Sequence, residues 1–136
     1  MIRFFIFLTT ITITVACNSD TGRWYSSEQV KLGKQVFAKN CSACHGLDAQ
    51  GTFNWKQPLA DGSYPPPPLN GTAHAWHHPL KMLKNTIDYG GTRIGGKMPA
   101  FINQLSENEK QASIAFFQSK WSDAIYQAWL KRGGLR

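Results

Sequence analysis

Apolar residues recur at helical spacing in four separate stretches of the chain. Val30, Gly33, Val36 and Phe37 form the first stripe, and Ser26 with Gln29 reads as a capping box that opens it. This helix is expected to run directly into Cys41, with Gly46 available to end it. Leu80, Leu83 and Ile87 mark a second helix, opened by His78-Pro79 with Pro79 at the tolerated first-turn position and closed by Gly90-Gly91. Ser106 with Glu109 makes another capping box, and Ile114, Phe116 and Phe117 fall in the helix it starts. Ser122 is placed to cap a last short helix carrying Ile125, Tyr126 and Trp129. Between these stretches the pattern disappears. From Leu47 to His78 there is no periodicity, only glycines and the run Pro65 to Pro68, and a second glycine-rich loop spans Gly90 to Ala100. The expected fold is all-α, with three to four short helices and long loops.

Before the first helix the chain reads differently. Met1-Ile2-Arg3 precedes an apolar run from Phe4 to Ala16, which is too short for an ordinary spanning helix and fits an export signal. Thr14-Val15-Ala16-Cys17 resembles the lipobox of bacterial lipoproteins, although Thr14 stands where leucine is usual. That resemblance implies a lipid on the Cys17 thiol, with two or three acyl chains giving stable anchoring. The expected organisation is a signal peptide over 1–16, a polar tether over 17–26, a main domain over 27–121 and a helical extension over 122–136.

The strongest chemical signal is Cys41-Ser42-Ala43-Cys44-His45. Two cysteines separated by two residues place both thiols along one helical turn, where each can add across a vinyl group of haem to give a thioether. The adjoining histidine then offers its imidazole to the iron. Other uses of the pair fit less well. A redox-active C-x-x-C is expected near a β-α-β pattern, which is absent, and a zinc site needs further ligands at paired spacing. Three cysteines in the whole chain make no disulfide framework. A large apolar cofactor also accounts for the long aperiodic loop, which can wrap its edge.

Iron held by one histidine needs a second axial ligand or stays open for chemistry. Met98, in Gly95-Gly96-Lys97-Met98-Pro99, lies on an extended loop with little reason to fill a core, and its thioether suits iron. Met82 is the rival methionine, but its place on the second helix suggests ordinary packing. His74, His77 and His78 crowd together beside Trp76. They read either as a polar, aromatic loop at the haem edge, as a copper or other divalent-metal site, or as a source of a histidine ligand in place of Met98.

Gly33 and Phe37, then Cys41-x-x-Cys44-His45-Gly46, then Pro67-Pro68-Leu69, then Met98-Pro99 and an aromatic last helix resemble the small bacterial class I c-type cytochromes. The resemblance covers roughly residues 28–120. It implies a cytochrome c-like fold around one covalent haem c, with His45 as proximal and Met98 as distal iron ligand. It further implies that Pro67 and Leu69 belong to the haem pocket, the Pro67 carbonyl accepting the N–H of His45. Gly33 and Phe37 should then meet Phe116 or Phe117 across the first and last family helices. The stretch beyond Trp121 has no counterpart in that pattern.

Charge adds a modest bias. The formal net charge of +7 falls to about +4 once Arg3 leaves with the leader and two haem propionates are counted. The basic residues are scattered, with no Lys/Arg-rich run, which argues against nucleic-acid binding and leaves either modest steering toward acidic surfaces or a basic surface with no binding role. The resulting expectation is a one-electron carrier in an extracytoplasmic respiratory chain, tethered on the periplasmic side of a bacterial envelope. Its partners would be redox proteins with acidic docking surfaces, an oxidase, a reductase or another cytochrome, and Arg93 and Lys97 are candidate docking charges. A haem enzyme or gas sensor with an open iron, and a haem protein that handles copper through its histidines, are the competing readings.

Overall fold

A computed structural model describes residues 22–136. Five α-helices follow one another: α1 (Ser27–Asn40), α2 (Ser42–His45), α3 (Leu80–Tyr89), α4 (Glu107–Gln118) and α5 (Asp123–Lys131). Single 3-10 turns occur at His74–His77 and Thr92–Ile94. Among the described residues the only β pairing is an isolated bridge between Tyr64 and Gly96. The all-α expectation holds, with four longer helices and one single-turn helix.

Both capping boxes form. Ser26 and Ser106 each accept a backbone N–H three residues on, and Gln29 and Glu109 return the bond to the cap backbone. Satisfying two otherwise orphaned N–H groups at each start fixes where α1 and α4 begin. Two boundaries differ from expectation. Pro79 caps α3 with an extended ψ of 159° rather than occupying its first turn. The first helix also does not continue smoothly into the cysteine motif, because Cys41, at φ −120°, separates α1 from α2.

The helices α1 and α4 cross at a contact set by Gly33. A methyl at Gly33 would run into the Ala112 carbonyl oxygen and lie 2.9 Å from Phe116 Cβ. With only a hydrogen there, Phe37 reaches Phe116 at a centroid distance of 5.1 Å, and both are buried. On the far side of α4, Asp88 of α3 bonds the buried Lys110 at 2.5 Å and is reached by Lys84 at 3.3 Å. The Lys110 hydrogen bond holds the Asp88 carboxyl below its ordinary range. This pairing is what permits an acid and an amine to be almost fully covered between α3 and α4.

The ends of the described chain differ from the sequence expectation. Residues up to Ser26 were expected to be tether, yet Arg23, Trp24 and Tyr25 are packed into the fold. Trp24 donates from Nε1 to Gln118 Oε1 at 2.6 Å and from its backbone N–H to the Tyr126 hydroxyl at 2.9 Å. Arg23 bonds Asp123 at 2.6 Å and lies over the Tyr126 ring. The expected extension is equally integral, since Tyr126 and Trp129 of α5 are among the most buried side chains. Large aromatic area on α5 explains this, because leaving it in water would forfeit several kcal/mol, at about 1.5–3 kcal/mol for a large apolar side chain. The proposed leader, Cys17 and the proposed tether up to Thr21 lie outside the described residues. Among the described residues, no helix is long and apolar enough to cross a membrane.

Replacing Gly33 with Ala is expected to lower the unfolding free energy by about 1–3 kcal/mol through overpacking of the helix crossing, measured by denaturant titration of the folded protein.

Candidate functional site

The turn Cys41–His45 is shaped by its backbone. The N–H groups of Cys44 and His45 both bond the Cys41 carbonyl, and Gly46 N–H bonds Ser42 O at 2.8 Å. Gly46 then leaves the helix at φ +75°. The result is one tight turn that places Cys41, Cys44 and His45 on the lining of a single cavity of about 790 Å³. That volume is in the range of cofactor pockets, roughly 300–1,000 Å³.

His45 is buried, and its Nδ1 lies 3.1 Å from the Pro67 carbonyl oxygen. A carbonyl can only accept, so Nδ1 carries the proton and donates, leaving Nε2 bare as an electron-pair donor. Burial lowers the ring's affinity for a second proton, while the Pro67 bond works in the opposite direction. A neutral imidazole of fixed tautomer is the form that ligates a metal.

Gly51 makes that bond possible. At φ +60° it bonds its N–H to His45 O, and a Cβ there would strike the peptide joining Pro67 to Pro68. Thr52 N–H bonds Pro66 O at 2.9 Å, so the proline run is held alongside the loop that leaves the motif. Leu69 lines the cavity, and its carbonyl accepts the Trp121 indole N–H at 2.8 Å. Neither Gly51 nor Trp121 was singled out from sequence. A glycine in a run of turn residues was the only available signal for the first, and the second carried none.

Met98 lies on the opposite loop and also lines the cavity. Its carbonyl accepts Gly91 N–H at 3.0 Å, and its Cβ would sit 3.1 Å from a methyl at Gly91. A methyl at Gly90 would strike the Met98 carbonyl. The pair Gly90-Gly91 thus permits close approach of the methionine loop to the end of α3. Met98 is half-buried beside Val36, Phe101 and Leu105.

Met82 departs from the expectation of ordinary core packing. It is exposed on α3 and also lines the cavity. Of the three loop histidines, His74 and His78 meet while His77 turns to Trp76. Trp55 stacks on His74 at 4.8 Å, His78 meets His74 edge to face at 5.2 Å, and His77 packs on Trp76 at 4.0 Å. Among the described residues no group of three His, Cys, Asp or Glu side chains is placed to hold a metal ion, so His74, His77 and His78 do not form the three-ligand site weighed from sequence. Lys97, considered a free docking charge, is paired with Asp61.

The cavity wall is predominantly apolar, with Phe37, Leu83, Ile87, Phe101 and Phe117 among its residues. Burial pushes the Cys41 thiol up to about 11. A protonated thiol is a poor redox nucleophile, which removes support from a thioredoxin-like use of the pair. The donors present fit haem c: two thiols on one turn, a neutral imidazole beside them, a thioether on the facing loop and apolar walls between.

Residues 28–117 match the family described as cytochrome c oxidase, cbb3-type, subunit III. The chain belongs to this family. Membership makes it a c-type cytochrome, a kind of protein that binds its haem covalently and transfers electrons, in line with the sequence reading. It is 33% identical over 91 residues to the cbb3-type cytochrome c oxidase subunit FixP of Rhizobium meliloti (strain 1021), covering 66% of this chain and 27% of that protein. It is 35% identical over 78 residues to the cbb3-type cytochrome c oxidase subunit CcoP of Rhodobacter capsulatus, covering 55% of this chain and 22% of that one. The chain thus spans about a quarter of the length of these curated relatives. Its fold resembles cytochrome CL from the marine methylotrophic bacterium Methylophaga aminisulfidivorans MPT, with a TM-score of 0.57 at 22% identity, covering 88% of this chain and 69% of the other. The family match ends at residue 117, so α5 lies outside it.

Gly51→Ala is expected to lower the unfolding free energy by about 1–3 kcal/mol, from the left-handed backbone alone. The displaced proline run should also expose the His45 Nδ1–H, read as faster exchange of that ring proton by NMR.

Proposed function

We propose that this cytochrome carries one haem c, joined by thioethers to Cys41 and Cys44, with His45 and Met98 as the axial iron ligands, and serves as a one-electron carrier. The observation that carries this reading is the convergence of all four side chains on one apolar cavity, with the His45 tautomer set by Pro67. When bound, the haem supplies an iron that cycles between ferric and ferrous states. The chain's own residues hold and tune it. His45 is oriented by the Pro67 carbonyl, Met98 is held by the Gly90-Gly91 loop end, and Pro67 and Leu69 form part of the wall. Thioether ligation favours the ferrous state relative to two histidines. Apolar walls exclude water from the centre and limit the reorganisation that accompanies a change of charge.

The wider setting belongs to the same proposal. Residues 1–16 act as an export signal and Cys17 as a lipid attachment point, holding the domain on the periplasmic side of a membrane. Cysteine-linked haem is consistent with export, and the relatives' names as oxidase subunits support a respiratory partner, an oxidase or a protein that feeds one. Lys56 at the cavity and the exposed Arg93 give the protein basic positions for an acidic partner. The open-iron reading finds less support, because Met98 faces the same cavity as His45.

The ferric absorption spectrum tests the ligand set. The unaltered protein should show a six-coordinate spectrum with the sulfur-to-iron charge-transfer band, and Met98→Ala should abolish that band while Met82→Ala retains it. A band that survives in Met98→Ala and disappears in Met82→Ala would transfer the ligand to α3 and overturn the assignment.

A further inference from the structure

The turn that follows α4 lies beyond the residues matched to the family, and it grips the aperiodic loop at two points. Lys120 pairs with Asp48 at 2.8 Å, and Trp121 donates its indole N–H to the Leu69 carbonyl at 2.8 Å. The first bond reaches the chain leaving the cysteine turn, and the second reaches the end of the proline run. Trp121 is only 3% exposed and is not part of the cavity wall, so it acts on the site through what it holds. Its own placement is fixed. The Trp121 carbonyl accepts Arg23 at 3.1 Å, and its ring meets those of Phe117 and Trp129 at centroid distances of 6.2 and 6.0 Å.

From Leu69 a short path leads to His45. The N–H groups of Leu69 and Asn70 both bond the Ala49 carbonyl, at 2.8 and 3.2 Å, and Ala49 N–H bonds Gly46 O at 3.1 Å. Ala49 is fully buried, and among the described residues it is the one non-glycine with a positive φ, +53°. A residue with a Cβ rarely takes that left-handed backbone, which persists only where the surroundings over-determine it. Here those surroundings are the cysteine turn on one side and Leu69-Asn70 on the other. Pro67, two residues before Leu69, carries the carbonyl that accepts His45 Nδ1–H at 3.1 Å. Gly71, two residues after Leu69, runs so close to Trp121 that a methyl there would lie 3.1 Å from the indole. The segment 67–71 is therefore set against the cysteine turn on one face and against Trp121 on another.

We propose, on the haem reading given above, that Trp121 is a positioning residue for the iron: its bond to Leu69 holds the Pro67 carbonyl on His45 Nδ1–H and thereby sets the midpoint potential. A firm acceptor on Nδ1 makes the imidazole a more electron-rich ligand, which favours ferric iron. Without the indole N–H the Leu69 carbonyl loses this donor, the proline run is free to shift, and the acceptor on His45 weakens.

The test uses the full chain matured with haem. Covalent haem content is measured first, then the midpoint potential and, by NMR of the ferrous protein, the exchange rate of His45 Nδ1–H. Trp121→Phe, which keeps a ring but removes the donor, should retain its haem, show a higher potential and exchange that proton faster. Trp24→Phe is the control, because it removes an indole N–H bond to Gln118 of α4 that does not reach the loop. It should leave both readings unchanged. Unchanged readings in Trp121→Phe at full haem content, or equal changes in Trp24→Phe, would overturn the proposal while leaving the haem reading intact. An unaltered chain that matures without haem would overturn both. If Trp121→Phe fails to fold, hydrogen exchange of the unaltered haem protein across a denaturant series decides. Trp121 Nε1–H and His45 Nδ1–H exchanging through one opening, with equal free energies, supports the proposal, and clearly different free energies overturn it.

Discussion

The hydrogen bond from His45 Nδ1 to the Pro67 carbonyl joins the two halves of this protein that periodicity does not connect. One half is the helical turn carrying the cysteines, and the other is the long aperiodic loop. Fixing the ring sets its tautomer and aims Nε2 into the cavity. The bond depends in turn on Gly51, whose lack of a side chain lets the chain leaving the motif lie flat against the proline run. A long loop is costly to order, at about 1–2 kcal/mol of backbone entropy per residue. Here the order is recovered through backbone bonds such as Leu69 N–H to Ala49 O and through the Trp121 indole on Leu69.

Around that centre the helices act as a frame. The Gly33 contact brings α1 and α4 close enough for Phe37 and Phe116 to meet, and Phe37 also packs 6.4 Å from the His45 ring. The same crossing therefore reaches from the core to the His45 side of the site. A second frame is made by the chain ends. Arg23 and Trp24 grip α4 and α5, and α5 holds the His78 backbone. The residues that seemed peripheral to the cytochrome pattern are thereby tied to the lining of the pocket.

The sequence made some of this legible and hid the rest for physical reasons. Capping boxes are local, so Ser26/Gln29 and Ser106/Glu109 could be read directly, and both formed. The all-α fold followed from periodicity, because each stripe had a face to bury. Spacing alone brought Cys41, Cys44 and His45 onto one turn. What could not be read was pairing at long range. Arg23 to Asp123, Trp24 to Gln118 and Trp129 to His78 join positions about a hundred or fifty residues apart, with no local signal at either end. The exposure of Met82 was missed because a place on a helix does not say which neighbour covers the side chain. The histidines were legible as a cluster but not as three different environments, since each is set by the aromatic ring it meets.

The family match places the chain among c-type cytochromes over residues 28–117, while the proposed site of covalent attachment is the cysteine turn. Intact-mass and peptide mass spectrometry of the protein produced in cells competent for c-type maturation tests this most directly. The account predicts a mass increase of one haem, localised to the peptide containing Cys41 and Cys44, with neither thiol open to alkylation. Two free, alkylatable thiols on a folded protein of unmodified mass would contradict it.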